Sequence, residues 1–533
     1  MVRCSQAVLL CLLSFSAWSQ SDRYIISFKD KNGSSYSVNS PGAFLSAKAI
    51  ARRDRNAIPV TSEDLPVNNS YVAQVKSTGA STFFTSRWMN AVLVEATTTQ
   101  LAAIMSLPFV LKSEMVAPGK NLLGGRLKNL KQKKSSATSG ATTDQLQMLG
   151  LDQMHADGYL GEGILVSVLD GGFPGVNVAA AFQPIVTENR IKLTQDFVTN
   201  SGNVYQYNDH GTEVLSVMAG YLESAFEGGA YKASFMLFVT EDVKTEYRVE
   251  EYNWLFAAEK ADSAGTDIIH SSLGYYAFDD PSMDYKPANL DGKTTIVSKA
   301  AAMARARGII VVVSAGNEGS NNWKFITPPA DVEGVLAIGA VTFAGTRVNF
   351  SSIGPTADGR TKPDLAAVGS STSVITGDGA IGKGNGTSLA APLVTSLVIG
   401  LIQKYPSLKP DEIIDALRFS ASKSVKPDNF LGYGIPNYTA VKNYLESNQN
   451  SDDVFLFPNP TDSSLSLAFK NLPEGDVELS FYDMQGQQLS NPIQAIDWLN
   501  NPVRISLQNL AAGIYLLKVK TTTLTRTFRF VKL

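Results

Sequence analysis

Five short apolar runs, GILVSVLD, ASFMLFVT, TDIIHSSLG, GIIVVVSAG and VLAIGAV, recur between about residues 140 and 445 of this chain. They are continuous rather than alternating, which is how a strand reads when both its faces are covered, as in a parallel sheet. Segments with helical spacing lie between them, among them YNWLFAAEKADSAG and VSKAAAMARARG. Strand then helix, repeated, predicts an α/β domain around a central parallel sheet. Sites in such sheets form at the carboxyl ends of strands, so the residues just past each run are where chemistry is expected.

At 533 residues the chain is too long for one domain of this kind, and its flanks read differently. Residues 1–19 have the layout of a secretory signal peptide: Arg3, an apolar stretch from Ala7 to Phe15, then Ala17-Trp18-Ser19 before Gln20, with cleavage expected near Ser19. Residues 20–116 mix strand-like runs (RYIISFKD, SYVAQVKS, NAVLVEAT) with helix-like ones (FLSAKAIARRDR, TTQLAAIMSL) and read as a small α+β unit. Residues 117–140 crowd Lys120, Arg126, Lys128, Lys131, Lys133 and Lys134 without apolar period, a protease-sensitive linker. The α/β domain is expected over 141–446, followed by the polar linker 447–453. Over 454–533 the runs SSLSLAFK, VELSFYD, VRISLQ, GIYLLKVK and TRTFRFVKL carry no helix signal and predict a small β-sandwich.

Composition narrows the chemistry. Both cysteines, Cys4 and Cys11, fall in the leader, so a mature chain has no thiol for nucleophile, disulfide or metal. Cys11 follows Val-Leu-Leu, without the small residues a lipidation signal places before its cysteine. The leader's apolar stretch is too short to span a membrane, so the mature chain is expected to have no transmembrane segment. A formal net charge of -3 gives no reason to expect nucleic acid or an anionic membrane as partner.

The chain has three histidines. His155, in the polar helix-like DQMHADGYL, reads as a surface residue, and His270, inside the strand IIHSSLG, as packed or satisfied by backbone. His210, in NDHGTEVLSVMAG, sits at a loop-to-helix junction from which an imidazole can enter a crevice. Asp170 ends the first apolar run; Asn317 follows the fourth; Ser388 opens an apolar helix starting at about 388, with Pro392 in its first turn. Alone, Asp170 reads as a helix cap or turn residue, Asn317 as a turn former and Ser388 as an N-cap. Together they supply what nucleophilic acyl transfer needs: an alcohol, a base to take its proton, a carboxylate to fix the base's tautomer, and a donor for the oxyanion.

Those same segments carry a resemblance. LDGG at 169–172, DHGT at 209–212, SAGNEG at 314–319 and GTSLAAP at 386–392 resemble, in order, the four signatures of the subtilisin-like serine proteases. Further matches are SSLG at 271–274, FSSIGPTADGRTKPDLAAVG at 350–369 and LGYGIPN at 431–437. The resemblance implies a subtilisin-like sheet, Asp170, His210 and Ser388 as the triad, and Asn317 with the Ser388 amide as oxyanion hole. It also implies that Ser272, Leu273 and Gly274 pair with extended substrate. Gly171 stands where many relatives have Ser or Thr, which removes a hydrogen bond; Leu389 and Leu393 replace a Met and a His.

By the same resemblance the N-terminal unit is an inhibitory propeptide cut off in the basic linker. FPNPT, YDMQGQ and LAAGIYLLKV make the C-terminal segment similar to sorting domains read by the type IX secretion machinery, which places the product at the surface of a Gram-negative cell or outside it. The expected activity is that of an exported, self-processed serine endopeptidase acting on proteins or peptides. Two alternatives share the fold: a surface protein that binds peptides without cutting them, and a transacylating relative. No cofactor is required. Relatives often hold calcium in surface loops, and NDH and ITGDGA supply acidic and amide groups, but no ordered ligand spacing of the EF-hand kind is present and no metal ligand is assigned.

Overall fold

The computed structural model of the chain describes residues 21–119, 133–134 and 140–449, and further on 454–457, 461, 464–469, 473, 477–489, 503–522 and 524–532. The expected leader with Cys4 and Cys11, and most of the basic linker, lie outside the described residues. The expected linker at 447 begins inside the helix Tyr438–Gln449, and residues 450–453 lie outside the described set.

Seven parallel strands form the central sheet: β1 (Leu165–Asp170), β2 (Ile191–Asp196), β3 (Ser234–Val239), β4 (Ile268–Ser271), β5 (Ile310–Ser314), β6 (Leu336–Val341) and β7 (Leu365–Val368). Their spatial order is β7-β6-β5-β4-β1-β3-β2. Strands β1, β4, β5 and β6 are buried throughout, as their continuous apolar runs require. The two edge strands were not legible as such: β2, IKLTQD, is mostly half-exposed and polar, and β7 is only four residues long. β1 lies between β4 and β3, so the strand ending in Asp170 is central.

Four helices of this unit matter below: α1 (Ala47–Arg55), α2 (His210–Ala219), α3 (Val249–Ala264) and α5 (Thr387–Lys404), with α4 (Ile296–Ala306) packed against α3. Among the described residues α5 is long and apolar enough to cross a membrane, yet it is the core helix of the unit: Thr387 to Ile402 are buried without a break. It starts at Thr387 with Gly386 as N-cap, so Ser388 is its second residue and not its cap, and Pro392 falls in the second turn rather than the first. Leu389 and Leu393 are buried in the main apolar cluster, 2% and 0% exposed, so those two sites serve packing.

The chain forms two compact units, one of residues 1–37 and 62–124, the other of 38–61 and 125–533. The first holds a four-stranded antiparallel sheet in the order Ser81–Ser86, Ala91–Thr97, Ser21–Phe28, Val110–Pro118, with two helices. One of these, Asn69–Ser77, contains SYVAQVKS, which reads as a strand from its alternation. Asn68 caps its first turn by accepting from the Ser70 amide at 2.8 Å, and Tyr71, Val72 and Val75 share one helical face, so helical spacing prevails.

Residues 38–61, between two strands of the first unit, fold with the second. There α1 inserts two arginines that are 1% exposed, and both guanidinium groups bond Asp262 of α3: Arg52 through Nη2 to Oδ1, Arg53 through Nη2 to Oδ2 at 2.8 Å. Arg52 also donates to the Thr266 and Arg307 carbonyls, and Lys48 reaches Asp267 at 2.6 Å. Gly265, at φ +88°, ends α3 where an added Cβ would lie 2.7 Å from Lys48, so only glycine lets α1 approach this closely.

In the C-terminal segment, Val454–Phe457, Ser464–Phe469 and Val503–Ser506 make one antiparallel sheet and Glu478–Tyr482, Gly513–Lys520 and Thr525–Lys532 another. Leu465, Leu467, Leu479, Phe481, Leu517, Val519 and Phe530 from both share one apolar core.

Candidate active site

Asp170 closes β1 with its carboxylate 1% exposed, and an isolated carboxylate there would be costly. It is satisfied by two donors. The His210 Nδ1 lies 2.9 Å from Oδ1 and 3.0 Å from Oδ2, and the Gly171 amide donates to Oδ1 at 2.7 Å. A Cβ at Gly171 would meet Val243 at 3.3 Å, so this crowded position contributes its backbone amide instead of a side-chain hydroxyl. His210 opens α2, its own amide held by Asn208 Oδ1 at 2.7 Å. The helix comes so near the strand end that a Cβ on Gly211 would sit 2.4 Å from the Gly172 carbonyl and 2.9 Å from the Asp170 Cβ. The glycines of LDGG and DHGT thus buy the contact between acid and imidazole.

Ser388 is 4% exposed at the start of α5. A Cβ at Gly386 would lie 2.7 Å from the Ser388 Oγ and 3.8 Å from the Asn317 Nδ2, which brings the loops of SAGNEG and GTSLAAP together. Asn317, just past β5, accepts at Oδ1 from the Thr387 amide at 2.9 Å and the Thr387 hydroxyl at 3.0 Å. With the oxygen committed to Thr387, the Nδ2 amide is left to donate. As the second residue of α5, Ser388 has an amide with no acceptor inside the helix.

Ser272, Leu273 and Gly274 continue from the end of β4. The Ser272 hydroxyl donates to the Ser388 carbonyl at 2.9 Å, tying this segment to the start of α5. A Cβ on Gly274 would be 2.0 Å from the Thr327 Oγ1, so the segment packs directly on Thr327. Neither Thr387 nor Thr327 was singled out from the sequence: Thr387 is bonded to Asn317 from a distant loop, and Thr327 packs against Gly274.

Of the other two histidines, His155 differs from its sequence reading and His270 is packed inside its strand, as expected. His155 is not a surface residue: its side chain is 9% exposed, its Nε2 lies 2.9 Å from the Gly229 carbonyl, and Nδ1 lies 3.1 Å from Glu227. His270 is fully buried, and hydroxyl side chains rather than backbone satisfy it, Thr395 at 2.8 Å and Ser272 at 3.0 Å. Burial and, secondarily, the nearby His210 lower its pKa to about 3, so the ring is neutral.

The loops considered for calcium use their polar groups locally. Asp378 of ITGDGA accepts from Thr376 and from the Ala380 amide, and Asn208 of NDH holds His210. Among the described residues one set of carboxylates, Glu241, Glu246 and Glu250, brings oxygens within 4.8 Å of one another. Glu241 accepts there from the Tyr275 hydroxyl, and Glu250 from the Asp242 amide at 2.9 Å.

The family model of the subtilase family matches residues 161–434, more than half of the chain. Models of the peptidase S8 propeptide domain of Bacteroidota and of a secretion system C-terminal sorting domain match residues 23–136 and 455–532. Among curated relatives, Subtilisin of Bacillus pumilus is 29% identical over 295 residues, 54% of this chain and 94% of the relative. Subtilisin NAT of Bacillus subtilis subsp. natto is 28% identical over 295 residues, 54% of this chain and 68% of that one. Of solved structures, MycP1 from Mycobacterium smegmatis covers 60% of this chain and 91% of its own at 20% identity, with a TM-score of 0.44. The chain belongs to the subtilase family: it is a subtilisin-like serine protease with an N-terminal propeptide domain and a C-terminal secretion sorting domain.

Proposed function

We propose that the protein is an exported endopeptidase in which Ser388 is the nucleophile, His210 the general base, Asp170 its orienting carboxylate and Asn317 an oxyanion donor. The observation that carries this reading is the contact of the His210 Nδ1 with both oxygens of buried Asp170, at 2.9 and 3.0 Å. An Nδ1–H donated to that carboxylate leaves Nε2 as the basic nitrogen, and the imidazolium formed later is stabilised in place.

In the first half of the reaction Ser388 Oγ attacks the peptide carbonyl as its proton passes to His210 Nε2. The carbonyl π electrons move to oxygen, where the Asn317 Nδ2–H and the Ser388 N–H receive the charge. Collapse breaks the C–N bond, His210 returns the proton to the leaving amine, and an ester on Ser388 remains. Water, deprotonated by the same nitrogen, hydrolyses that ester and restores both groups. Ser272, Leu273 and Gly274, beside Ser388, pair with the extended substrate backbone. This chemistry needs no metal; calcium would serve the stability of loops.

The propeptide domain keeps the precursor inactive until the protease cuts its own basic linker, and the sorting domain directs the chain through the type IX machinery to the cell surface or beyond. Ser388→Ala should abolish both peptide cleavage and self-processing, so the longer precursor accumulates. Cleavage at the wild-type rate with normal maturation in that variant would remove Ser388 from its role.

A further inference from the structure

Pro392 has no N–H, and in an α-helix its N–H is the one that would reach the carbonyl of Ser388, four residues earlier. The Ser388 carbonyl therefore lacks its helical donor. Ser272 replaces it from outside the helix, its hydroxyl 2.9 Å away. Behind Ser272 stands the His270 Nε2 at 3.0 Å, and behind the other ring nitrogen the Thr395 Oγ1 at 2.8 Å, itself 3.0 Å from the Ala391 carbonyl. Thr395 and His270 are 0% exposed and Ser272 8%, so no solvent proton completes the chain.

Four contacts run along this line, but a neutral ring leaves three protons for them: one each on Ser272, His270 and Thr395. One end must go without. If Thr395 donates to Ala391, His270 carries its proton on Nδ1, Ser272 turns to Nε2, and the Ser388 carbonyl is left bare. If Thr395 donates to Nδ1, the ring is protonated on Nε2, donates to Ser272, and Ser272 donates to Ser388. The Ala391 carbonyl belongs to the regular helical ladder of α5, whereas Pro392 denies the Ser388 carbonyl any such partner, so the second arrangement satisfies more of the buried polar groups.

We infer that His270 and Thr395 are positioning residues for the nucleophile: Thr395 selects the Nε2–H tautomer of His270, which turns the Ser272 hydroxyl onto the Ser388 carbonyl and fixes the first turn of α5. That turn carries both the Ser388 Oγ and the Ser388 N–H, so its setting bears on attack and on oxyanion stabilisation and not on the remote binding of substrate. A ring held neutral beside His210 also adds no opposing charge when His210 becomes an imidazolium.

The inference rests on the assignment of Ser388 as nucleophile, and its test separates the two. The secreted, processed protein is treated with a fluorophosphonate that traps active serines, and the labelled residue and labelling rate are measured alongside kcat and KM for a peptide substrate. Thr395→Val, nearly isosteric, should lower kcat and the labelling rate about five- to tenfold with KM unchanged. Ser272→Ala should do the same, and the double variant should be no worse than either single one, because they break one line. Pro392→Ala supplies the missing N–H to Ser388, so Ser272→Ala should cost little in that background, a rescue that a purely structural role for the hydroxyls does not produce. Labelling of wild-type Ser388 with unchanged rates in Thr395→Val and Ser272→Ala overturns the relay and leaves the nucleophile standing. Equal loss from Ser272→Ala with and without Pro392 also overturns it, and no labelling of Ser388 in the wild type overturns both.

Discussion

Asn317 shows how much of a residue's role is set by the atom it does not offer. Two donors from Thr387 claim its Oδ1, so the amide can present only N–H groups to whatever lies before Ser388. Asn317→Ala should lower kcat roughly a hundredfold or more with KM nearly unchanged, since an oxyanion donor acts on charge that exists only in the transition state. A variant with wild-type kcat would dismiss the donor. The types and order of Asp170, His210, Asn317 and Ser388 were legible because each follows a strand or opens a helix beside glycine. Thr395 was not, and Ser272 and Thr387 were legible only as members of their motifs, because a hydroxyl that works by hydrogen-bonding another residue leaves no pattern of its own in the chain. The same holds for His155, whose polar neighbours hide that Gly229 and Glu227 enclose it.

Among the elements, helices were read well where capping and apolar period agreed, as in α4, whose first turn Thr295 caps. They failed in SYVAQVKS, where an alternating pattern of six or so residues fits either period and the Asn68 cap decides. Central strands were plain from their apolar runs; β2 was not, because it is too little covered to be apolar, and β7, though buried throughout, is only the short run LAAV. One packing of elements near the end of the α/β domain depends on acidity. Asp157, after the helix Leu151–Ala156, accepts from Lys442 at 2.8 Å and from buried Tyr438 at 2.8 Å, both on the helix Tyr438–Gln449. Hydrogen bonds from Lys442 first and then Tyr438 hold its carboxyl down from 3.8 to about 2. A carboxylate with a depressed folded pKa stabilises above its unfolded value, and that contribution fades as pH falls from about 4 through 2. Because Asp157 is only partly buried, Asp157→Asn should lower the Tm at pH 7 by roughly a degree or two only. The gap between variant and wild type should close on acidification to pH 2. A constant difference across that range would assign the effect to something other than this titration.

For the molecule as a whole, the sequence conveyed the class of the central part. It did not convey that residues 38–61, embedded in the N-terminal part, fold with the peptidase unit. FLSAKAIARRDR announces a helix, but nothing local tells that Arg52 and Arg53 will be buried, since the carboxylate that makes this tolerable is Asp262, more than two hundred positions away. Removing one partner of such a buried set leaves uncompensated charge and costs about 3–5 kcal/mol. Asp262→Asn should therefore loosen α1: after the linker is cut, the N-terminal fragment should leave at least tenfold faster, as followed by size-exclusion chromatography of the processed mixture. Equal retention in variant and wild type would show that these charges do not hold it.

Severing the backbone in the linker changes what is covalently joined, but it draws neither guanidinium out of its seat beside Asp262. A fragment freed there would stay held through its own middle, and departure would require two cations to be rehydrated. Release of such a fragment would run at the pace of that extraction and not at the pace of the cut itself.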